Sequence, residues 1–266
     1  MKRMHLVELE DLPWVPAVLR DGGRDALDVW FARVHFYRGL VPKLVELMEA
    51  TGQSQIVDLC SGGGGGVLAM RRELLAQGIT DATFELSDLY PNAATIERVK
   101  KLGDPRVKYR DTPLNALKTP RDLRGIRTMF GALHHFQPEQ VEGLLKDAVA
   151  AAAPVAFFDA AASEGMRKVP AVFAPLLSIP NLLVLFVVAL LVMPFAKPFR
   201  VSRLLLTYLI PAIPLLFAWD GNVSALRAYL PEELLAMARG IPGGESYEWQ
   251  SGRAGLALYL IGKPRG

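Results

Sequence analysis

The sequence predicts an α/β protein: a doubly wound, mostly parallel sheet with an N-terminal helical extension and a hydrophobic helical insertion. Three observations carry this. Short strand-like runs alternate with amphipathic helical runs from Gln55 onward. One of those strands ends in a carboxylate, Asp58, and gives way after three further residues to five consecutive glycines, Gly62 to Gly66. A long uncharged stretch then interrupts the alternation in the C-terminal half before the globular pattern resumes.

The elements follow in order. Leu12-Pro13-Trp14-Val15-Pro16 reads as a turn, and Ala26 to Leu47 carries apolar residues at three- and four-residue spacing, which predicts helix. Strands are predicted at Gln55–Leu59, Thr83–Leu86, Val107–Tyr109, Thr128–Leu133 and Pro154–Phe158. Helical patterns lie between them at Gly65–Gln77, Asn92–Leu102, Leu114–Asp122 and Pro138–Ala151. Pro138 suits the first turn of a helix, and Glu139 complements the positive end of its dipole. Strands separated by helices require right-handed crossovers, hence a parallel sheet. Pro231–Arg239 reads as a later helix ended by Gly240, and Gly255–Ile261 as a final strand. The predicted segments are an extension over 1–50, a core over 51–162, an insertion over 163–219 and a return to the core over 220–266.

Composition limits the function. Of the 266 residues, 51% are hydrophobic, and the surplus over an ordinary soluble chain is concentrated in the insertion. A formal net charge of +3 gives no electrostatic footprint for nucleic acid, so no nucleic-acid partner is expected. Cys60 is the single cysteine, which excludes an intrachain disulfide and fits a reducing, cytoplasmic setting. The basic start, Lys2-Arg3, is followed by His5, Glu8, Glu10 and Asp11 rather than an apolar run, so no secretory signal is expected.

The chemistry centres on Ile56-Val57-Asp58-Leu59-Cys60-Ser61-Gly62-Gly63-Gly64-Gly65-Gly66. Glycines let a backbone turn sharply and approach a ligand closely, with a helix N-terminus behind them. A flexible turn is the plainer reading. Gly64-Gly65-Gly66-Val67-Leu68-Ala69 also fits the dinucleotide fingerprint, but several residues separate it from the strand end at Asp58, and that register suits a different nucleoside cofactor.

The segment resembles the first motif of class I S-adenosylmethionine-dependent methyltransferases, an acidic residue followed by G-x-G-x-G. Asp58 matches the acid, Gly62 and Gly64 match the second and third glycines, and Cys60 replaces the first. A small residue in a tight turn accounts for Cys60 better than a redox or nucleophilic role. The resemblance implies a Rossmann-like methyltransferase fold, S-adenosyl-L-methionine as cofactor, and a set of cofactor-binding positions. Asp88, followed by Leu89, stands where an acid would accept hydrogen bonds from the ribose hydroxyls; a helix N-cap is its alternative role. Glu85 is the weaker candidate for that task because strand alternation points it elsewhere. Asp111, after the third strand, matches the position that recognises the adenine amino group. Leu133-His134-His135-Phe136 is similar to the family's L-H-H-F ending of the fourth strand, which places Leu133 beside the cofactor and makes His135 the candidate general base. Many such enzymes act by aligning donor and acceptor, with no essential base. No metal site is expected.

The insertion suggests a membrane. Leu177 to Ala196 contains about thirteen Leu, Ile, Val or Phe residues, worth roughly −4 to −8 kcal/mol toward bilayer insertion. Leu204–Trp219 is shorter and interrupted by Pro211 and Pro214, which predicts a break. A transmembrane hairpin would carry Lys197, Arg200 and Arg203 across to the far side, against the positive-inside tendency, so a re-entrant or interfacial hairpin satisfies the charges better. Arg167 and Lys168 are candidates for pairing with anionic head groups. The expected function is methyl transfer to a hydrophobic small-molecule or lipid-like acceptor at the cytoplasmic membrane face. Asp220, Asn222, Ser224, Arg227 and Tyr229, with His35 and Tyr37, are candidates for a polar acceptor site, or else solvated and capping residues. The rival readings are a soluble small-molecule methyltransferase with a hydrophobic lid, a non-catalytic membrane scaffold that keeps the cofactor fold, and an NAD-dependent enzyme.

Overall fold

The computed structural model describes residues 3–160 and 169–265. In chain order its helices are α1 (Ala17–Arg33), α2 (Val41–Thr51), α3 (Gly65–Ala76), α4 (Ala93–Leu102), α5 (Pro138–Ala150), α6 (Ala174–Val192), α7 (Val201–Leu204), α8 (Ala212–Arg227) and α9 (Pro231–Gly240). The strands are β1 (Gln55–Asp58), β2 (Thr83–Leu86), β3 (Val107–Tyr109), β4 (Ile126–Phe130), β5 (Val155–Ala160), β6 (Tyr247–Ala254) and β7 (Ala257–Pro264). The chain forms two compact units: Met1–His35 with Ala162–Tyr229, and Phe36–Ala161 with Leu230–Gly266.

The second unit holds a seven-stranded sheet in the order β3-β2-β1-β4-β5-β7-β6. The first five strands are mutually parallel, and β7 runs antiparallel to both β5 and β6. Strand order therefore reverses between β1 and β4, and in an open parallel sheet the crevice at such a reversal is where ligands bind. β1 and β4 are central and almost wholly buried, and the buried polar groups of β4 are paired: Arg127 with Asp147 and Thr128 with Asp58. Chain entry and exit are capped by local chemistry: the Asn92 side chain accepts from Thr95 N at the start of α4, and Gly103, at φ +63°, ends it.

Four sequence expectations need adjustment. The predicted helical stretch Ala26–Leu47 is two helices, α1 and α2, separated by Val34–Leu40, where His35 takes φ +48°. The expected helix Leu114–Asp122 reduces to one 3-10 turn, Ala116–Lys118, because Pro113 and Pro120 bracket it. The fourth strand ends at Phe130 rather than Leu133, since Gly131 adopts φ +65° and the next residues form a 3-10 turn, Leu133–His135. β6 was not anticipated: Tyr-Glu-Trp-Gln-Ser-Gly-Arg-Ala alternates buried and exposed sides but is too polar to read as a core strand.

In the first unit, α6, α8 and α1 pack around a core of Ala26, Leu185, Ala189, Val192, Met193, Ile213 and Phe217. The predicted break falls at Ile210–Pro211: Val201–Leu209 and Ala212–Arg227 meet at 76°. α1 carries six charged residues, Arg20, Asp21, Arg24, Asp25, Asp28 and Arg33, and it reaches the far end of α6. There Asp25 pairs with the buried Arg203, and the Arg33 guanidinium lies 3.9 Å from the centre of the Phe195 ring. Arg203 also donates to the carbonyls of Ala196 and Pro198. Burial raises the Asp25 pKa, and Arg203 opposes that rise. An α6–α8 hairpin that crossed hydrocarbon would take α1 with it. The charged groups of α1, such as Arg24 paired with Glu10 and Asp21, would then have to enter hydrocarbon, which is costly even for paired charges. Arg167 and Lys168 lie outside the described residues.

The polar residues that follow the insertion serve the first unit's own packing. Asp220 accepts from the backbone N–H groups of Leu9 (2.6 Å) and Glu10 (3.0 Å). Ser224 Oγ donates to Glu8 (3.0 Å), Arg227 pairs with Glu8 (3.1 Å), and Asn222 accepts from Asn181 (3.1 Å). Arg3 stacks on Tyr229. These contacts clasp the N-terminal segment onto α8.

Candidate active site

Asp58 ends β1 with its carboxyl sealed from solvent. Ser61 Oγ donates to Oδ2 at 2.6 Å and Thr128 Oγ1 to Oδ1 at 2.9 Å, while Ser87 Oγ donates to the Asp58 carbonyl at 2.7 Å. Burial pushes its pKa up to about 8, against the opposing pull of the Ser61 and Thr128 hydrogen bonds. The buried residue locks the start of the glycine loop to the ends of β2 and β4. The backbone then bends hard: Cys60, Gly62 and Gly64 all have positive φ, at +64°, +47° and +72°. Cys60 therefore occupies a left-handed turn, and burial drives its thiol pKa upward, with Asp88 and Asp58 adding to the rise. A thiol kept neutral is a poor nucleophile, in keeping with a turn residue.

The loop tip is held from three sides. Asp88 Oδ2 accepts from Gly62 N at 2.8 Å, Tyr109 Oη donates to the Gly62 carbonyl at 3.0 Å, and Arg98 donates to the Gly63 carbonyl. Asp88 Oδ1 accepts from Tyr90 N at 2.9 Å. Asn92, not Asp88, caps α4, so the capping alternative for Asp88 falls away. A carboxylate accepts about four hydrogen bonds, so two backbone donors leave capacity on Asp88 for a vicinal diol. Glu85 is bound to Arg110 at 2.6 Å. The Asp88 carbonyl accepts from Leu114 N at 2.8 Å, which fastens the loop holding the exposed Asp111 to the same corner. Leu89 is partly exposed and Tyr90 is 81% exposed beside it.

Two glycines differ sharply in what surrounds them. A Cβ built on Gly63 meets nothing within 4 Å, whereas one built on Gly66 would stand 2.4 Å from Phe130 Cβ and 3.2 Å from Tyr37 Oη. Gly66 lets the first turn of α3 close onto β4, and Gly63 faces open space in front of the loop. That space, the donors at the start of α3 and the spare capacity of Asp88 are the features an anionic or hydroxyl-rich nucleoside ligand needs. The residues fit S-adenosylmethionine.

On the other side of the strand reversal, Leu133 is buried and His134 and His135 follow it in the 3-10 turn. His134 is fixed by Asp159 at the end of β5: its backbone N–H donates to Oδ2 at 2.7 Å and its Nδ1 lies 2.8 Å from Oδ1. Burial alone would raise the Asp159 pKa, but the charge and hydrogen bonds of His134 outweigh it and hold the carboxyl below its usual range. The His135 ring stacks on His134 with centroids 4.4 Å apart. The expectation singled out His135; the structure adds its neighbour as the histidine that carries a carboxylate partner. Asp159 was missed although Phe157-Phe158-Asp159 repeats the strand-final acid of Ile56-Val57-Asp58. Tyr37 belongs to the sheet unit, buried and edge-on to Phe130 at 5.4 Å, with its hydroxyl 3.6 Å from where a Gly131 Cβ would stand.

No family model and no curated protein matches this sequence. Solved structures do. The plantazolicin methyltransferase BpumL in complex with SAH superposes with a TM-score of 0.56 at 9% identity, over 92% of this chain and 90% of that one. The fold is that of the class I S-adenosylmethionine-dependent methyltransferases. Human N-acetylserotonin methyltransferase in complex with SAM matches with a TM-score of 0.51 at 10% identity, over 96% of this chain and 61% of that chain. An O-methyltransferase family protein from Burkholderia thailandensis matches with a TM-score of 0.50 at 15% identity, over 91% and 60%. The chain thus spans about three fifths of the length of these last two proteins.

Proposed function

We propose that this methyltransferase-fold protein transfers the methyl group of S-adenosylmethionine to a hydrophobic, lipid-like small molecule at the cytoplasmic face of a membrane. The observation that carries the reading is the clamped glycine loop. Asp58, Asp88, Tyr109 and Arg98 hold a backbone whose open side faces solvent at Gly62 and Gly63, in the fold that the SAM- and SAH-bound neighbours share. The cofactor supplies an electrophilic methyl group on a sulfonium centre. Asp88 would accept from its ribose hydroxyls, Asp111 from its adenine amino group, and Leu89 and Leu133 would flank the base. Asp58 acts one step removed, by fixing the turn through Ser61 and Thr128.

The chain's own chemistry on the acceptor side lies in the turn after β4. Asp159 binds both the N–H and Nδ1 of His134, which sets the orientation of that ring and of His135 stacked on it. If the acceptor atom is a hydroxyl, a proton has to leave it as the new bond forms, and His135 would accept it. The hydrophobic acceptor is inferred from the apolar insertion of the sequence, and the first unit by itself carries an open apolar cleft of about 460 Å³ lined by Leu9, Trp14, Val15, Leu19, Leu215 and Trp219. A lipid-like acceptor delivered from a membrane avoids exposing its chain to water, at about 0.8 kcal/mol per methylene.

The reading is tested by calorimetric titration with S-adenosylhomocysteine, comparing wild type with Asp88→Ala. Saturable binding that the substitution weakens by at least tenfold is expected, since hydrogen bonds to a charged group contribute about 1.5–3 kcal/mol. Folded wild-type protein that binds nothing would sink the enzyme reading and leave a membrane scaffold that keeps the cofactor fold.

A further inference from the structure

The first unit carries an apolar surface that its own packing leaves uncovered. Along α6 the buried residues Ala174, Ser178, Leu185, Ala189 and Val192 face the bundle core. On the opposite side Leu176, Ile179, Leu183, Val184, Val187 and Leu191 recur at helical spacing, each about half to two-thirds exposed. The bent segment adds Leu205, Leu209 and Ile210, and it is fastened to α6 by Tyr208 Oη, which donates to the Leu190 carbonyl at 2.6 Å. A monomer in water rarely leaves so continuous an apolar stripe bare.

We propose that this face docks the protein in the plane of one leaflet of an anionic lipid bilayer, with α6 lying along the surface rather than crossing it. Charge selects this occupant. From Val169 to Trp219 the sequence holds Lys197, Arg200 and Arg203 and no acidic residue. Arg203 is spent on Asp25, whereas Lys197 and Arg200 are exposed beside Phe199. Cations at the rim of an apolar face complement acidic head groups. A second copy packed on the same face by two-fold symmetry would offer no acid from this stretch to pair with them. Crossing is opposed by α1, whose six charged residues run beside α6 as far as Arg33 against Phe195. At about 33 Å, the helical segment Ala174–Phe195 is long enough to span a bilayer, so length does not decide; the charged neighbour does. The inference deepens the membrane part of the preceding reading and is independent of its chemistry, because vesicle binding requires no methyl transfer.

The test uses the full chain and vesicles of phosphatidylcholine with one third phosphatidylglycerol. Wild type should float with them and bind phosphatidylcholine alone several-fold more weakly. The double variant Leu183→Glu/Leu191→Glu, at two exposed positions, should lose at least tenfold in bound fraction while binding S-adenosylhomocysteine as wild type does. A Ser202→Cys variant, which keeps both rim cations, recovered with floated vesicles should react with a membrane-impermeant maleimide equally with and without detergent, the wild-type chain with its single Cys60 serving as the blank. Reaction that appears only after detergent would mean that the hairpin crosses and would overturn in-plane docking while leaving membrane association standing. Failure of folded wild type to float would also overturn it. In that case, light scattering that finds a dimer split by the double variant would assign the face to a second copy. Vesicle binding without S-adenosylhomocysteine binding would leave the docking intact and remove the enzyme reading instead.

Discussion

Alanine substitutions at Gly63 and Gly66 should separate stability from ligand binding within three residues. At Gly66 the added methyl would sit 2.4 Å from Phe130 Cβ, a rigid point on a central strand rather than the end of a flexible side chain. An ordinary contact needs about 1 Å or more of additional room, so α3 must back away from β4, and overpacking of that kind costs about 1–3 kcal/mol. For a unit of this size each kcal/mol lowers Tm by roughly 2–4 °C. At Gly63 the methyl meets nothing within 4 Å and the backbone is not left-handed, so the folded protein accommodates it. The methyl would instead occupy the space through which a cofactor approaches the loop. Differential scanning calorimetry with and without S-adenosylhomocysteine reads both effects. Gly66→Ala should melt several degrees lower, whereas Gly63→Ala should melt within about 1 °C of wild type yet lose at least tenfold in affinity. If Gly63→Ala bound the ligand as wild type does, the open side of the loop would not be the cofactor's approach, and the placement of the site would be wrong.

Asp58 makes stability depend on pH in a defined direction. Its folded pKa of about 8 lies above the roughly 4 of an unfolded aspartate, so the folded state holds an extra proton between those values. Its contribution is complete below pH 4 and is lost as pH rises through 8; Asp58→Asn should flatten that part of a chemical-denaturation series, and an unchanged slope would contradict it. Asp159→Asn should lower kcat at least tenfold while S-adenosylhomocysteine affinity stays within about twofold, because the carboxylate acts on His134 and not on the cofactor; equal losses in both would make it merely structural. Asp25→Ala should destabilise the helical unit by about 3–5 kcal/mol by leaving Arg203 buried without its carboxylate, and a thermal melt shifted by under 2 °C would refute this.

Sequence periodicity placed β2 and β3 at their observed limits and β1, α3 and α5 within a residue or two, because those elements are either continuously apolar or strongly amphipathic. It overextended β4 by reading Gly131-Ala132-Leu133 as strand, since a positive φ at one glycine leaves no trace in an apolar run. It passed over β6 because an edge strand needs only one apolar side. In the site, the order of Asp58, the glycine run, Asp88 and the paired histidines was readable along the chain. The bond between Asp159 and His134 spans 25 residues, and no local pattern announces it.

By itself the sequence determined the alternation that makes a parallel sheet, the carboxylate-then-glycine turn of the candidate cofactor site, and an apolar insertion with a proline break. These are local properties, set by side-chain period, backbone freedom and charge over a few residues. Only the tertiary structure decided that Asp58 serves the turn while Asp88 keeps capacity to spare, that Asp159 chooses His134, and that Arg203 is neutralised inside the bundle instead of standing at its tip. Each of those outcomes is a pairing between groups far apart in sequence, and burial changes the energy of a charge by more than its local sequence can indicate.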